Sequence, residues 1–199
     1  RKVSRNYFLH IHDNRISVYS LRPFYTMGFG LILASLFTIL AVTGVLMMFY
    51  YVPSTGQAYD SVKDIIYVIP GGKYLRNLHR WSGHAMVAVL FLHLARVVYT
   101  EGYSNGRTRN WLFGLIMFCC ILMMSFSGYL LPWDQLSYWA ITICSNIAAS
   151  TREVTDALSI TSYFDIGGWT KRLLIGDDVV GQPALSRFFT LHTMLLPVS

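Results

Sequence analysis

The sequence is poor in charge. Asp, Glu, Lys and Arg make up only 13% of its 199 residues, whereas 54% are apolar. Soluble domains usually carry about 25% charged residues, so this low fraction predicts that much of the chain lies in lipid. The net charge of +6 comes from basic residues clustered at the ends of apolar segments. Because they form no stripe with interleaved aromatic residues, they indicate membrane topology rather than nucleic-acid binding.

Cysteine is also scarce. The three cysteines, Cys119, Cys120 and Cys144, do not stand in CxxC or CxxCH spacing. The absence of these motifs argues against a zinc site, a redox dithiol and a covalently attached c-type haem. We interpret all three as small apolar packing residues.

Long apolar runs are the dominant feature that is present. A membrane-spanning helix needs about 20 predominantly apolar residues. We expect such helices over residues 25–52, 78–99, 111–131 and, as an incomplete fourth span, from 184 to 199 and onward. Because a terminal carboxylate inside the hydrocarbon layer would be costly, we expect the sequence to stop within this fourth helix. The predicted fold is an all-α transmembrane four-helix bundle with a truncated fourth helix, forming a single domain over residues 1–199.

The loops predict the orientation. The N-terminal segment and the loop at 100–110 are rich in arginine, whereas the long loop after Leu131 holds more acidic than basic residues. The positive-inside rule then places the N-terminus on the negative side of the membrane. The long loop lies on the positive side, where an amphipathic stretch at 133–147 is expected to form a surface helix.

Two histidines in the second span have a spacing typical of stacked cofactors. The 14 residues from His79 to His93 turn the helix through about 40° less than four full turns, so the two side chains lie on nearly the same face. Along the helix axis they are about 21 Å apart. A single intramembrane histidine is more often a hydrogen-bonding residue between helices, but two at this spacing favour metal ligation. His84 turns at least about 140° away from both and is predicted to have no ligand role.

A haem iron held by two histidines needs a second imidazole at the same level. His192 in the fourth span lies near the positive side, as His79 does, so the two can face each other. His93 needs a partner about 14 residues after His192, beyond the last residue of this sequence. We therefore predict two non-covalent b-type haems, one near each membrane surface, with His79, His93 and His192 as iron ligands.

Glycines repeat the histidine spacing. Gly30 and Gly44 in the first span, and Gly114 and Gly128 in the third, are separated by the same interval as His79 and His93. A missing side chain lets a flat ring approach the helix backbone, so each glycine is predicted at a haem level.

Arginines near the helix ends are candidate partners for the anionic haem propionates. The alternative for each is ordinary snorkelling of a long basic side chain to the membrane surface. The candidates are Arg76, Arg80, Arg96, Arg107 and Arg187.

Three stretches of the sequence resemble a known family. They are Leu78-His79-Arg80-Trp81-Ser82, the run Gly128-Tyr129-Leu130-Leu131-Pro132-Trp133-Asp134-Gln135 followed by Tyr138-Trp139-Ala140, and Ser186-Arg187-Phe188-Phe189-Thr190-Leu191-His192-Thr193. They resemble cytochrome b of the bc1/b6f type, with the aspartate of the Pro-Trp-Asp-Gln motif favouring the b6 branch. The resemblance implies that His79 and His192 ligate the low-potential haem and that His93 ligates the high-potential haem.

The resemblance also implies a function. The chain would be the dihaem subunit of a quinol:cytochrome c oxidoreductase in an energy-conserving membrane such as a bacterial inner membrane. It would carry electrons from quinol on the positive side to quinone on the negative side, and this transfer would be coupled to proton translocation. The chain would not be active without the other subunits. Residues implied at the quinol oxidation site are Tyr129, Pro132, Trp133, Ser137 and Tyr138, and Asp13 is a candidate proton donor near the negative-side quinone. Implied partners are a Rieske iron–sulfur protein, a c-type cytochrome and a separate C-terminal cytochrome b part, in a dimeric complex.

The sequence departs from the b6 pattern in three ways. Gly28 stands where b6 has the cysteine that attaches an extra c-type haem, so no covalent haem is predicted. The third–fourth loop carries an insertion around residues 152–176. The Pro-Glu-Trp-Tyr motif of the quinol site is absent, so another subunit is expected to complete that site.

Two other functions remain open from the residues. A dihaem membrane anchor of a dehydrogenase or hydrogenase would explain the histidines, but not the Pro-Trp-Asp-Gln stretch or the two glycine pairs. A haem-free channel or transporter would explain polar residues within spans, but predicts no bound haem.

Overall fold

The computed structural model describes residues 27–104, 107–157, 159 and 165–198, and these form helices and connecting turns without strands. The helices are α1 (Phe29–Met48), α2 (Ala58–Tyr67), α3 (Gly72–Tyr99), α4 (Thr108–Leu130), α5 (Gln135–Ala149), α6 (Thr151–Ala157), α7 (Ile166–Ile175), α8 (Gln182–Thr190) and α9 (Leu196–Val198). A π-helical turn, Leu191–Leu195, joins α8 to α9. The predicted all-α fold is confirmed.

Three helices, α1, α3 and α4, are long and apolar enough to cross a membrane. They correspond to the first three predicted spans. Most of their apolar side chains are exposed, as expected for helices whose surroundings are lipid. Helix α1 packs mainly along α3, and α4 contacts both α3 and the segment from α8 to α9. This arrangement brings helices from all four predicted spans together.

Helix α3 begins earlier than the apolar run predicted. It starts at Gly72 rather than at residue 78, because its first turns carry the polar residues Lys73, Arg76 and Asn77. Hydropathy detects only the part of a helix that lies in hydrocarbon, whereas the backbone hydrogen bonds continue beyond it. His79 therefore lies in the third turn of its helix rather than at its start.

Helix α2 was not predicted from the sequence. Ala58, Ser61 and Ile65 are buried along one face of it, at helical spacing, against the start of α3. The chain then turns sharply, and a Cβ atom on Gly72 would overlap the carbonyl oxygen of Ile65. Glycine is therefore required at this position for α2 and α3 to approach each other.

The most buried side chains of the described residues lie at one end of the bundle. Leu130, Ile141, Ile175, Ala184 and Phe188 form an apolar cluster where the end of α4 meets α5, α7 and α8. Burial of this cluster holds the long loop against the membrane helices. The predicted surface helix at 133–147 corresponds to α5, and the insertion at 152–176 includes α6 and α7.

Arg187 on α8 holds the end of α7. Its guanidinium donates hydrogen bonds to the carbonyl oxygens of Arg172, at 2.6 Å, and of Leu173. These carbonyls belong to the last turn of α7, where helical N–H donors become scarce, although the Arg172 carbonyl also accepts from the backbone N–H of Gly176. A cation is also favoured at a helix C-terminus. The side chain thus joins the insertion to the fourth predicted span.

We expect Arg187→Gln to lower the thermal unfolding midpoint of the solubilised protein. The change removes a charged donor from two helix-end carbonyls, and because Arg187 is exposed we expect a loss of about 1 kcal/mol. That loss corresponds to a decrease of about 2–4 °C for a protein of this size. Arg172→Gln is the matched control, since it removes the same charge but leaves the accepting carbonyl in place. Equal melting temperatures for the two variants would contradict the capping role.

Candidate functional site

Two imidazoles face each other near one end of the bundle. His79 comes from α3 and His192 from the π-helical turn after α8. Their ring centroids are 6.4 Å apart, and the ring planes are inclined at 71°. Both side chains are only partly exposed. The structure therefore brings together the two histidines that the sequence predicted at one level.

Each of these rings is hydrogen-bonded through Nδ1 to a neighbouring membrane helix. His79 Nδ1 lies 2.8 Å from the hydroxyl oxygen of Thr43 on α1. His192 Nδ1 lies 3.1 Å from the hydroxyl oxygen of Ser127 and 3.1 Å from the carbonyl oxygen of Met124, both on α4. The Nε2 atom of each ring is then the nitrogen suited to a metal, since hydrogen bonding at one ring nitrogen orients the other.

Two of the predicted glycines touch these rings. A Cβ atom on Gly128 would lie 2.6 Å from Cε1 of His192, and one on Gly44 would lie 3.3 Å from Cε1 of His79. The other two, Gly30 and Gly114, have no heavy atom within 4 Å of an added Cβ. At the level of His79 and His192, the absence of a side chain therefore makes room for an imidazole.

The remaining histidines are placed differently. His93 lies near the opposite end of α3 and is half-buried, and the structure brings no second imidazole from the described residues to it. His84 is exposed and packs edge-on against Trp81, with ring centroids 5.8 Å apart.

The five residues assigned to quinol oxidation lie at the corner between α4 and α5. Ser137 is buried, and its hydroxyl is 3.1 Å from the Tyr129 carbonyl oxygen and 2.8 Å from the Asp134 carboxylate. Trp133 adopts a left-handed backbone conformation, φ 52°, which is uncommon for a bulky residue. Tyr129 and Tyr138 are exposed at the same corner, next to half-buried Pro132. Asp13 lies outside the described residues.

The candidate arginines lie in three places. Arg76 and Arg80 lie on α3 one turn before and directly after His79, and Arg96 lies in the last turn of the same helix. Arg107 precedes α4 and is exposed. Arg187, in contrast, has its guanidinium bound to the end of α7. A role for any of them at a haem propionate stays a prediction.

Residues 14–199 match the family model described as cytochrome b/b6/petB. The chain belongs to this family. The cytochrome b6 of Prochlorococcus marinus (strain MIT 9515) is 40% identical over 176 residues, which cover 88% of this chain and 74% of that protein. The cytochrome b6 of Bigelowiella natans is 38% identical over 175 residues, covering 88% of this chain and 75% of that protein.

A solved structure agrees with this assignment. A chain of a hyperthermophilic respiratory Complex III superposes with a TM-score of 0.73 at 27% sequence identity. The match covers 87% of the present chain but only 44% of that chain, so this cytochrome b spans less than half of its length. The protein is a membrane cytochrome b of electron transport, and the comparisons support its place as a subunit of a quinol oxidoreductase complex.

The site residues fit the b-type haem that this family implies. Two imidazoles from different helices face each other, each with Nδ1 hydrogen-bonded and with a glycine against the ring. Within the described ranges, no group of three or more His, Cys, Asp or Glu side chains could hold a metal ion. A pair of imidazoles alone suits an iron whose other ligands belong to a macrocycle.

Sequence reasoning missed the hydrogen-bonding partners of the two histidines. Thr43 and Ser127 each directly precede one of the glycines that contact an imidazole, Gly44 and Gly128. A hydroxyl residue beside a glycine at a haem level, repeated in two spans, is the signal that could have identified them. The Met124 carbonyl, being a backbone group, leaves no such signal.

Proposed function

We propose that this cytochrome b is the dihaem subunit of a quinol:cytochrome c oxidoreductase and carries electrons across the membrane. The electrons come from quinol oxidation on the positive side and reach quinone on the negative side. The observation that carries the proposal is the meeting of four helices at one pair of facing imidazoles. Helices α1, α3 and α4 and the π-helical turn each contribute a ring or a partner of a ring.

In this proposal the histidines hold two b-type haems at different depths. His79 and His192 bind the low-potential haem near the positive side, and His93 contributes one ligand to the high-potential haem near the negative side. Bound haem supplies one-electron transfer at a potential that depends on its ligands and surroundings. Because His79 and His93 share one rigid helix, their spacing of about 21 Å sets the distance between the two levels. Gly30 and Gly114 have open space beside them, and in this proposal they serve the haem level of His93.

The quinol oxidation site is proposed at the corner of α4 and α5, at Tyr129, Pro132, Trp133, Ser137 and Tyr138. Helix α4 supports this location because Ser127 and Gly128, which contact His192, directly precede Tyr129. An electron released at this corner therefore enters the bundle beside the His79–His192 pair. The buried hydroxyl of Ser137 and the carboxylate of Asp134 hold the corner together through hydrogen bonds.

The proposed orientation rests on the distribution of basic residues in the loops, and the proposed partners on the family to which the chain belongs. The N-terminus lies on the negative side, where Asp13 is a candidate proton donor to quinone. On the positive side, a Rieske iron–sulfur protein takes one of the two electrons of quinol and passes it to a c-type cytochrome. A separate C-terminal cytochrome b part completes the quinol site, and the complex is a dimer.

A potentiometric titration of the purified complex tests this function. Reduced-minus-oxidised absorption spectra should resolve two b-type components with distinct midpoint potentials, since the two haems have different surroundings. A complex with one b-type component would contradict the dihaem proposal, and one with none would overturn the function. Copurification of a dehydrogenase without an iron–sulfur protein of the Rieske type would favour the membrane-anchor alternative instead.

A further inference from the structure

The hydroxyl of Thr43 accepts a hydrogen bond from His79. Its oxygen lies 2.6 Å from the carbonyl oxygen of Ile39 and 2.8 Å from His79 Nδ1. A hydroxyl has one hydrogen, and a carbonyl can only accept, so this hydrogen is donated within α1. The hydroxyl therefore presents a lone pair to His79, whose Nδ1 must carry the proton. Thr43 is 4% exposed, so water does not compete readily for this contact.

His192 has the same protonation pattern with a different partner. Its Nδ1 lies 3.1 Å from the Met124 carbonyl oxygen, which again can only accept. The Ser127 hydroxyl is also 3.1 Å from this Nδ1, and it donates its own hydrogen to the same carbonyl. Both rings thus carry the proton on Nδ1 and present the Nε2 lone pair, which is the form that ligates a metal.

We propose that Thr43 is a positioning residue that fixes the Nδ1–H form of His79 and lowers the potential of the haem that His79 holds. The inference rests on the proposed function. An acceptor at Nδ1–H makes the imidazole a more basic ligand, and a more basic ligand stabilises the oxidised haem. Ser127 has a smaller effect on the same haem, because its hydroxyl lies farther from the imidazole, 3.1 Å from His192 Nδ1 against 2.8 Å between Thr43 and His79 Nδ1, and because it shares that nitrogen with the Met124 carbonyl.

Thr43→Val in the assembled complex is the main test. Valine keeps the shape of threonine but cannot accept a hydrogen bond, so the low-potential b component should titrate at a higher potential. At a fixed ambient potential, we expect its ratio of reduced to oxidised form to rise about two- to tenfold, from the usual strength of one hydrogen bond. Thr43→Ser keeps the hydroxyl and should titrate like the unmodified complex. Ser127→Ala should shift the component in the same direction by less.

Three results would overturn the proposal. The Leu40 carbonyl is a second acceptor near His79. An unchanged potential in Thr43→Val, with the full haem content, would mean that this carbonyl alone is sufficient to hold the Nδ1–H of His79 and that the Thr43 hydroxyl does not set the potential. Equal shifts in Thr43→Val and Thr43→Ser would show that the hydroxyl is not the cause, since serine keeps it. A larger shift in Ser127→Ala would reverse the proposed order. Thr43→Ala, which removes the hydroxyl without adding a methyl group, gives an independent reading if the valine variant does not assemble. An unmodified complex without b-type haem would instead refute the proposed function.

Discussion

His192→Ala is expected to remove the low-potential b component and to lower quinol-dependent electron transfer by on the order of 100-fold or more. Loss of a residue that only supports a metal ligand typically costs 10- to 100-fold, and loss of the ligand itself costs at least as much. The substitution removes the imidazole whose ring centroid lies 6.4 Å from that of His79, so His79 loses its facing partner. The measurement is a potentiometric titration of the purified complex, together with its quinol oxidation rate.

The other histidines provide the comparison for this experiment. His93→Ala should remove the high-potential component and leave the low-potential one, because His93 lies about 21 Å along α3 from His79, which holds the other haem. His84→Ala is the matched control, since this ring is exposed and packs on Trp81. It should retain both components. Retention of both in His192→Ala, or loss of one in His84→Ala, would refute the proposed ligand set.

Gly128→Ala is expected to displace the His192 ring and reduce the haem content of the complex. The added Cβ would lie 2.6 Å from Cε1 of His192, which is closer than real Cβ contacts, and 3.1 Å from Nε2, so the ring must move. Overpacking of this kind costs about 1–3 kcal/mol. Because the strain falls on a proposed iron ligand, it should weaken haem binding by about 5- to 150-fold. The ratio of haem to protein after graded detergent treatment measures the effect.

Two other glycines extend this test into a series. A Cβ on Gly44 would lie 3.3 Å from Cε1 of His79, which requires only a small adjustment, so Gly44→Ala should lose less haem than Gly128→Ala. A Cβ on Gly83, in the same helix as His79, would lie 4.0 Å from Leu40, an ordinary contact. Gly83→Ala should therefore keep the haem content of the unmodified protein. A different order of haem loss would show that contact with the imidazoles is not the reason for these glycines.

Much of the fold was predictable because lipid imposes simple requirements on a sequence. A membrane helix must be long and apolar, so the first three spans could be located from hydropathy alone. Helix ends were less accurate, as the start of α3 at Gly72 shows, because polar turns extend beyond the hydrocarbon. Helix α2 lacks a long apolar run and was missed for that reason. The π-helical turn that carries His192 also has no pattern in the sequence, since it arises from how α8 and α9 meet the other helices.

The lipid environment, the helical class and the spacing of His79 and His93 depend on composition and on the period of one helix, so they could be inferred without a structure. Which imidazoles face each other, and which groups bind their Nδ1 atoms, became known from the packing of the helices. Thr43 and His79 are 36 residues apart, and Ser127 and His192 are 65 apart. Likewise, Arg187, a candidate propionate partner in the sequence, donates to the end of α7 in the structure. Contacts of this kind depend on how whole helices rotate and pack against one another, and the local period of a sequence does not specify that rotation.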